Sequence, residues 1–242
     1  MRMRECLLIT SLALQDTVTT AIIGGGGKSS LMAALGQEYA LRGDTTVMTT
    51  TTHIRPPERD YYMGDDPAVL GDLLMNHRLM TAGIPAEDHR FGATPLLEQL
   101  PELADHVIIE ADGTKGLPLK VPNDREPVIP AFADAVVAVA GLSALGNPLG
   151  EVCHRPELAV LRFGFSPEQK VTPEMMATLL SSPLAQRKNV GNRPYTVLLN
   201  QRDVVPAALT ELTAGLLLQN GVDRVVAAAL RHSPGEYEVW TR

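Results

Sequence analysis

Apolar positions in this chain come in short runs. Six of them are built from β-branched or small apolar residues: VTTAII (18–23), TTVMTT (45–50), HVIIEAD (106–112), AVVAVAG (135–141), TVLLNQ (196–201) and RVVAAAL (224–230). Strict alternation of polar and apolar residues would mark half-solvated strands. These runs lack it, so they predict strands covered on both faces. Segments of helix length separate several of them, at 28–43, 172–182 and 205–221. In the last, Leu209, Leu212, Leu216 and Leu217 share one helical face, and Asn220-Gly221 supplies a C-terminal stop. Strands alternating with helices predict an α/β fold in three layers, a mostly parallel sheet between two sheaths of helices. The Pro-rich stretches 54–67 and 117–131 read as loops. With no internal repeat, residues 1–242 are expected to form a single domain.

Charge narrows the function classes. The formal net charge of -7 argues against nucleic acid and against an anionic membrane as partners, since both need a basic field. Any anionic ligand has to be held by a local site. Two cysteines, Cys6 and Cys153, make neither a disulfide framework nor a structural zinc site, and a reducing cytoplasmic location fits them. The opening MRMRECLLITSLAL resembles a targeting signal in its arginines and apolar stretch. Glu5 interrupts it and no small-x-small cleavage site follows, so it reads as a helix or strand packing on the core. No stretch approaches the roughly 18 apolar residues of a membrane span.

The candidate chemistry starts at IIGGGGKSSL (22–31). A strand, a glycine loop and a helix beginning near Lys28 is the layout in which backbone N–H groups wrap phosphate oxygens at a helix N-terminus. Gly24, Gly25, Gly26 and Gly27 would allow close approach and positive φ. Lys28 would meet the outer phosphates, Ser29 would ligate Mg²⁺, and Ser30 belongs to the same phosphate-binding turn. Ile22 stands where the usual eight-residue pattern begins with glycine. Such a site needs a carboxylate on a neighbouring strand end to hold the metal's water shell. Asp112 is the first choice and Glu110, two residues earlier and on the same side, the second. A D-x-x-G switch is not matched, because position 115 is Lys and the glycine follows at 116.

Farther on, Asn200 and Asp203 in YTVLLNQRDVV reproduce the outer residues of the guanine-reading N-K-x-D sequence, with Gln201 in place of the lysine. A carboxylate there accepts from both N1–H and the 2-amino group of guanine. Two hydrogen bonds to a charged group, each worth roughly 1.5–3 kcal/mol, discriminate by about 100-fold or more. That favours GTP over ATP. Thr49 to Thr52 and His53 sit at the carboxyl edge of the second strand, where a threonine could meet the metal's water or a γ-phosphate, or could serve only β-propensity and capping. Cys153 and His154 with Arg155 suggest a thiolate beside an imidazole, or a pair of site-lining residues. Lys115, Lys120 and Arg125 could cover a second anionic substrate or form a solvated face.

GGGGKSSL, TTTTHIRPP, EADGTKGLPLKVPNDREPVIP and HRPE together resemble the YqeC-like family, described as accessory proteins of selenium-dependent hydroxylases. The glycine loop is also similar to that of the signal-recognition, MinD and BioD group of P-loop proteins, without the lysine that group carries at the position of Ile23. The resemblance implies a nucleotide-binding maturation factor with a molybdenum hydroxylase, or its cofactor, as client. A homodimer is compatible with the P-loop group. The sequence thus predicts a cytoplasmic, Mg²⁺-dependent P-loop NTPase, a slow GTPase, in which Lys28 and Asp112 carry the chemistry. Its rivals are a small-molecule kinase or ligase on the same cradle, and a non-catalytic carrier of a molybdopterin-type cofactor.

Overall fold

The computed structural model describes residues 2–5 and 7–242. In chain order its strands are β1 (Arg2–Glu5), β2 (Thr19–Gly24), β3 (Thr46–Thr50), β4 (Tyr61–Tyr62), β5 (Leu79–Ala82), β6 (Ile84–Ala86), β7 (Arg90–Gly92), β8 (His106–Glu110), β9 (Leu119–Lys120), β10 (Ala135–Gly141), β11 (Cys153–His154), β12 (Tyr195–Asn200), β13 (Arg224–Ala229) and β14 (Ser233–Thr241). Its helices are α1 (Leu8–Leu12), α2 (Lys28–Arg42), α3 (Pro67–His77), α4 (Leu100–Leu103), α5 (Leu149–Val152), α6 (Pro156–Phe163), α7 (Pro173–Ser181) and α8 (Ala207–Gln219).

A ten-stranded sheet runs in the order β1-β14-β13-β12-β10-β2-β8-β3-β5-β4. From β13 to β4 every pairing is parallel, and β14 and β1 extend one edge antiparallel. The alternation of side chains across a strand makes the three layers. Ile22, Val137, Val139 and Leu198 pack on one face with Leu8, Leu12, Leu31 and Leu35 of α1 and α2. Their neighbours Ala21, Ile23, Val136, Ala138 and Val197 turn to the other face, against α7 and α8. On that same face Val107 and Ile109 of β8 meet Leu70 and Leu74 of α3. The central strands β2, β8, β10 and β12 are buried over their whole length, as their unbroken apolar character predicts.

Two sequence expectations need correction, and one is met twice over. On α8 the buried residues are Thr210, Thr213, Ala214 and Leu217, while Leu212 is 47% exposed. That helix is apolar nearly all round, so periodicity alone does not select its face, and the small Thr and Ala side chains let it sit close to its neighbours. Both Pro-rich loops contain a short strand, β4 in one and β9 in the other. The N-terminal segment does both things expected of it in the alternative: it adds β1 to the sheet edge and buries Leu8, Ile9 and Leu12 through α1.

Helix α1 has no side-chain cap of its own. The carboxylate of Glu38 on α2 supplies one from a distance, accepting from Leu8 N–H at 2.8 Å and Ile9 N–H at 3.0 Å. Glu38→Ala should therefore lower stability by about 2 kcal/mol, the scale of hydrogen bonds to a charged acceptor. Urea unfolding measures this, and a loss below about 0.5 kcal/mol would mean that water replaces the carboxylate without cost.

Candidate functional site

Between the end of β2 and the start of α2 the chain makes the glycine loop. Three of its amides are already engaged: Gly24 N–H donates to Asp112 Oδ2 at 3.0 Å, Gly25 N–H to the Val139 carbonyl at 2.8 Å and Gly26 N–H to the Leu117 carbonyl at 3.0 Å. The sequence suggests an anion cup formed by main-chain amides between Gly24 and Lys28, and for these three amides that expectation is corrected. The amides of Gly27, Lys28, Ser29 and Ser30 have no hydrogen-bond partner among the described residues. These are the orphan donors of a helix N-terminus, and the first turn of α2 carries neither an acidic residue nor a side-chain cap.

Packing also explains the glycines. Gly26 has φ of 77° and a Cβ there would collide with the backbone nitrogen of Gly141; Gly27 has φ of 138° and a Cβ would collide with the Asn200 amide. The loop is thus threaded between β10, the segment at Leu117-Pro118 and the end of β12. Approach of a ligand is not the only reason that side chains are missing.

Behind the loop lies a buried chain of charges. Lys28 Nζ donates to the Gly24 carbonyl at 2.7 Å and lies 3.1 Å from Asp112 Oδ1 and 3.6 Å from Glu110 Oε1. Asp112, fully buried, is also 3.2 Å from Lys120 Nζ. Lys120 in turn lies 2.8 Å from Glu126 Oε2 and donates to the Gly113 carbonyl at 2.6 Å. Glu126 finally pairs with Arg155 at 2.5 Å. Burial pushes the Glu126 carboxyl up, but Lys120 and Arg155 together outweigh it and hold the group below the usual range. For Glu110 burial wins over the attraction of Lys28, and its carboxyl is raised.

The two candidate metal carboxylates are placed differently from one another. Asp112 is enclosed by Gly24 and two lysines. Glu110 lines the cavity in front of the loop, and its Oε2 is buried with no hydrogen-bond partner. Ser29 is exposed on the same cavity. Among the described residues no group of three or more His, Cys, Asp and Glu side chains is arranged to hold a metal ion. Mg²⁺ does not need one, because it keeps several waters and takes one or two carboxylates plus phosphate oxygens. An orphaned carboxylate oxygen on Glu110 and the Ser29 hydroxyl, on residues lining one cavity, fit that demand.

The cavity has a volume of about 980 Å³. Besides Lys28, its wall carries Arg55, Arg90, Lys115, Arg155 and Arg231, so among the described residues six Lys or Arg side chains face two carboxylates, Glu110 and Glu126. In a chain of net charge -7 this is a local reversal of sign. His53, His89 and His154 also line it. A second cavity of about 220 Å³ shares Gly26, Gly27, Ser30 and Arg231 with the first and is lined by Asn200, Gln201 and Asp203. Asn200 acts as a brace there, donating to the Gly26 carbonyl at 2.8 Å and accepting from Leu230 N–H at 3.2 Å. Asp203 stays exposed at the cavity wall. Among non-glycine residues with positive φ, His89, Lys115, Arg155 and Gln201 all border these two cavities. Such backbone strain gathers where function requires it.

Other candidates resolve as follows. The hydroxyls of Thr49, Thr50 and Thr51 donate to the carbonyls of Ala82, Glu110 and Val128, and Thr52 pairs with Thr50. They are structural, while His53 reaches the cavity. Burial pushes the Cys153 thiol up to about 12, so it is no thiolate nucleophile, and Cys6 lies outside the described residues. Burial and then Arg155 lower His154 below its ordinary value, which keeps its imidazole neutral. Lys120 is a buried ion-pair partner, Lys115 lines the cavity, and Arg125 is exposed away from it. Sequence reasoning missed Arg55, Arg90, Glu126 and Arg231. Each sits singly in a loop or strand end, with no periodic signal to mark it.

Residues 20–157 match the family described as YqeC protein. A protein of Escherichia coli (strain K12), named Uncharacterized protein YqeC, is 32% identical over 199 residues, which cover 76% of this chain and 75% of that protein. No solved structure matches. The matched segment contains the glycine loop, Glu110, Asp112 and the whole charge chain to Arg155, but not Asn200 or Asp203.

Lys120→Met leaves Asp112 and Glu126 each short of a buried counter-charge, and should cost about 3 kcal/mol in urea unfolding. Because the Glu126 value is lowered on folding, its contribution is complete above the ordinary glutamate range and is lost as pH falls through the folded value. The stability gap between wild type and Glu126→Gln should therefore be widest at neutral pH and close in acid. A gap that does not change with pH would show that the ion pairs do not stabilise the fold.

Proposed function

The chain belongs to the YqeC family, and we propose that it is a Mg²⁺-dependent nucleotide-binding protein that prefers GTP, hydrolyses it slowly and serves as an accessory factor in maturing selenium-dependent molybdenum hydroxylases. The observation that carries the nucleotide reading is the pairing of four unpartnered amides, Gly27 to Ser30, with Lys28 at the wall of a cationic cavity. A phosphate group there gains backbone donors, the positive end of α2 and an ammonium at once. The mostly parallel sheet is consistent with this, since its strands end at the site and ligands of such sheets bind at that edge.

In this reading Lys28 swings its ammonium between Asp112 and the outer phosphates, while Asp112 keeps the loop fixed through Gly24. Ser29 and Glu110 would hold Mg²⁺, with Asp112 as the carboxylate behind them. When bound, the metal supplies neutralisation of phosphate charge. The base side of the nucleotide is assigned to the smaller cavity, where Asp203 is free to accept from guanine and Asn200 fixes the loop that frames it. No side chain is assigned to activate water, and sites of this kind work mainly by positioning and electrostatics, so turnover is slow without a partner. The maturation role comes from the resemblance to the accessory family, and a molybdenum hydroxylase or its cofactor is the client it suggests.

Calorimetry with Mg²⁺ and GTP tests the reading. Lys28→Ala should weaken binding at least 100-fold while circular dichroism stays unchanged; equal affinity in both proteins would reject the site. Wild type should prefer GTP over ATP by about 100-fold, and Asp203→Ala should level the two nucleotides. A wild type that binds both alike removes the guanine assignment.

A further inference from the structure

Ile54 and Phe91 form an antiparallel bridge, each donating its N–H to the other's carbonyl at 2.9 Å. Both side chains are buried. One step along each segment from this bridge come Arg55 and Arg90, so the fold brings the two arginines to neighbouring segments. Like charges brought close on neighbouring segments repel one another unless an anion lies between them. Neither guanidinium makes an ion pair or hydrogen bond with any described residue, and both line the large cavity. Two arginines without a partner among the described residues thus border a space already rich in positive charge.

The geometry points to a second anion site, built by Arg55 and Arg90 apart from the glycine loop, that takes the phosphate group of a second, phosphorylated small molecule. This rests on the nucleotide reading for the identity of its neighbour, not for its own chemistry. Two planar forks on the wall of one cavity suit a tetrahedral phosphate with several acceptor oxygens, whereas a single fork already saturates a carboxylate. Charge balance leads the same way. Among the described residues six Lys or Arg side chains face two carboxylates in this cavity, an excess that a nucleotide half-neutralised by Mg²⁺ does not match. Space agrees too, because the base-reading candidates border the other cavity and leave much of the 980 Å³ unclaimed.

Inorganic pyrophosphate serves as the probe, titrated by calorimetry in excess Mg²⁺ into the full chain saturated with a non-hydrolysable GTP analogue. The saturated protein should take up one further equivalent. The double variant Arg55→Ala/Arg90→Ala should weaken that step at least tenfold and leave nucleotide affinity within twofold. Absence of the extra equivalent, or equal loss of nucleotide and pyrophosphate in the variant, overturns the second site. Should the wild type bind no nucleotide at all, pyrophosphate uptake by Lys28→Ala that disappears in the double arginine variant still supports the second site and retires only the nucleotide reading. Citrate titrated in the same way tests the ligand class, and tighter, arginine-dependent binding of citrate than of pyrophosphate overturns the phosphate assignment.

Discussion

The Asp112 carboxylate, with no access to solvent, holds the site together. It accepts the first amide of the glycine loop and lies within 3.2 Å of two lysines that arrive from opposite directions, Lys28 from α2 and Lys120 from β9. A buried ion carries a desolvation penalty of several kcal/mol, and only close, multiple partners offset it. The loop, the helix start and the β9 segment are therefore obliged to meet at this point. Removing any one of them strands charge in the interior, which makes the arrangement a unit rather than a set of separate contacts.

From that unit outward, the engaged and the free donors divide the loop into two parts with different tasks. Gly24, Gly25 and Gly26 spend their amides on the protein, and Gly27 to Ser30 keep theirs. Lys28 belongs to both parts, since its ammonium bonds the loop's own carbonyl and faces the cavity. On the far side the alternating chain through Lys120 and Glu126 ends at Arg155, itself on the cavity wall. A ligand that draws on Lys28 or Arg155 thus acts on one connected set of charges, in a protein whose remaining surface is acidic overall.

Much of the fold was legible because the central strands are apolar on both faces and so announce themselves as runs; AVVAVAG became β10 residue for residue. The short edge strands were not. Tyr61–Tyr62 and Leu119–Lys120 gain strand geometry only from their neighbours, which a local pattern does not contain. At the site, the strand-loop-helix grammar anticipated that Lys28 and the two carboxylates lie close together, as they do. It could not tell that Glu110 faces the cavity while Asp112 lies behind it, because that depends on how the chain turns after β8. The arginine pair was invisible for a plainer reason: residues 55 and 90 are far apart in sequence, and the Ile54–Phe91 bridge brings their segments together.

The division of the glycine loop is the central claim, and amide chemical shifts read it directly. In ¹⁵N–¹H spectra of the full chain, adding Mg²⁺ and a non-hydrolysable GTP analogue should move the amides of Gly27, Lys28, Ser29 and Ser30 strongly, with those of Gly24, Gly25 and Gly26 shifting far less. Strong shifts confined to the first three glycines, or none at any of the seven, would contradict the account.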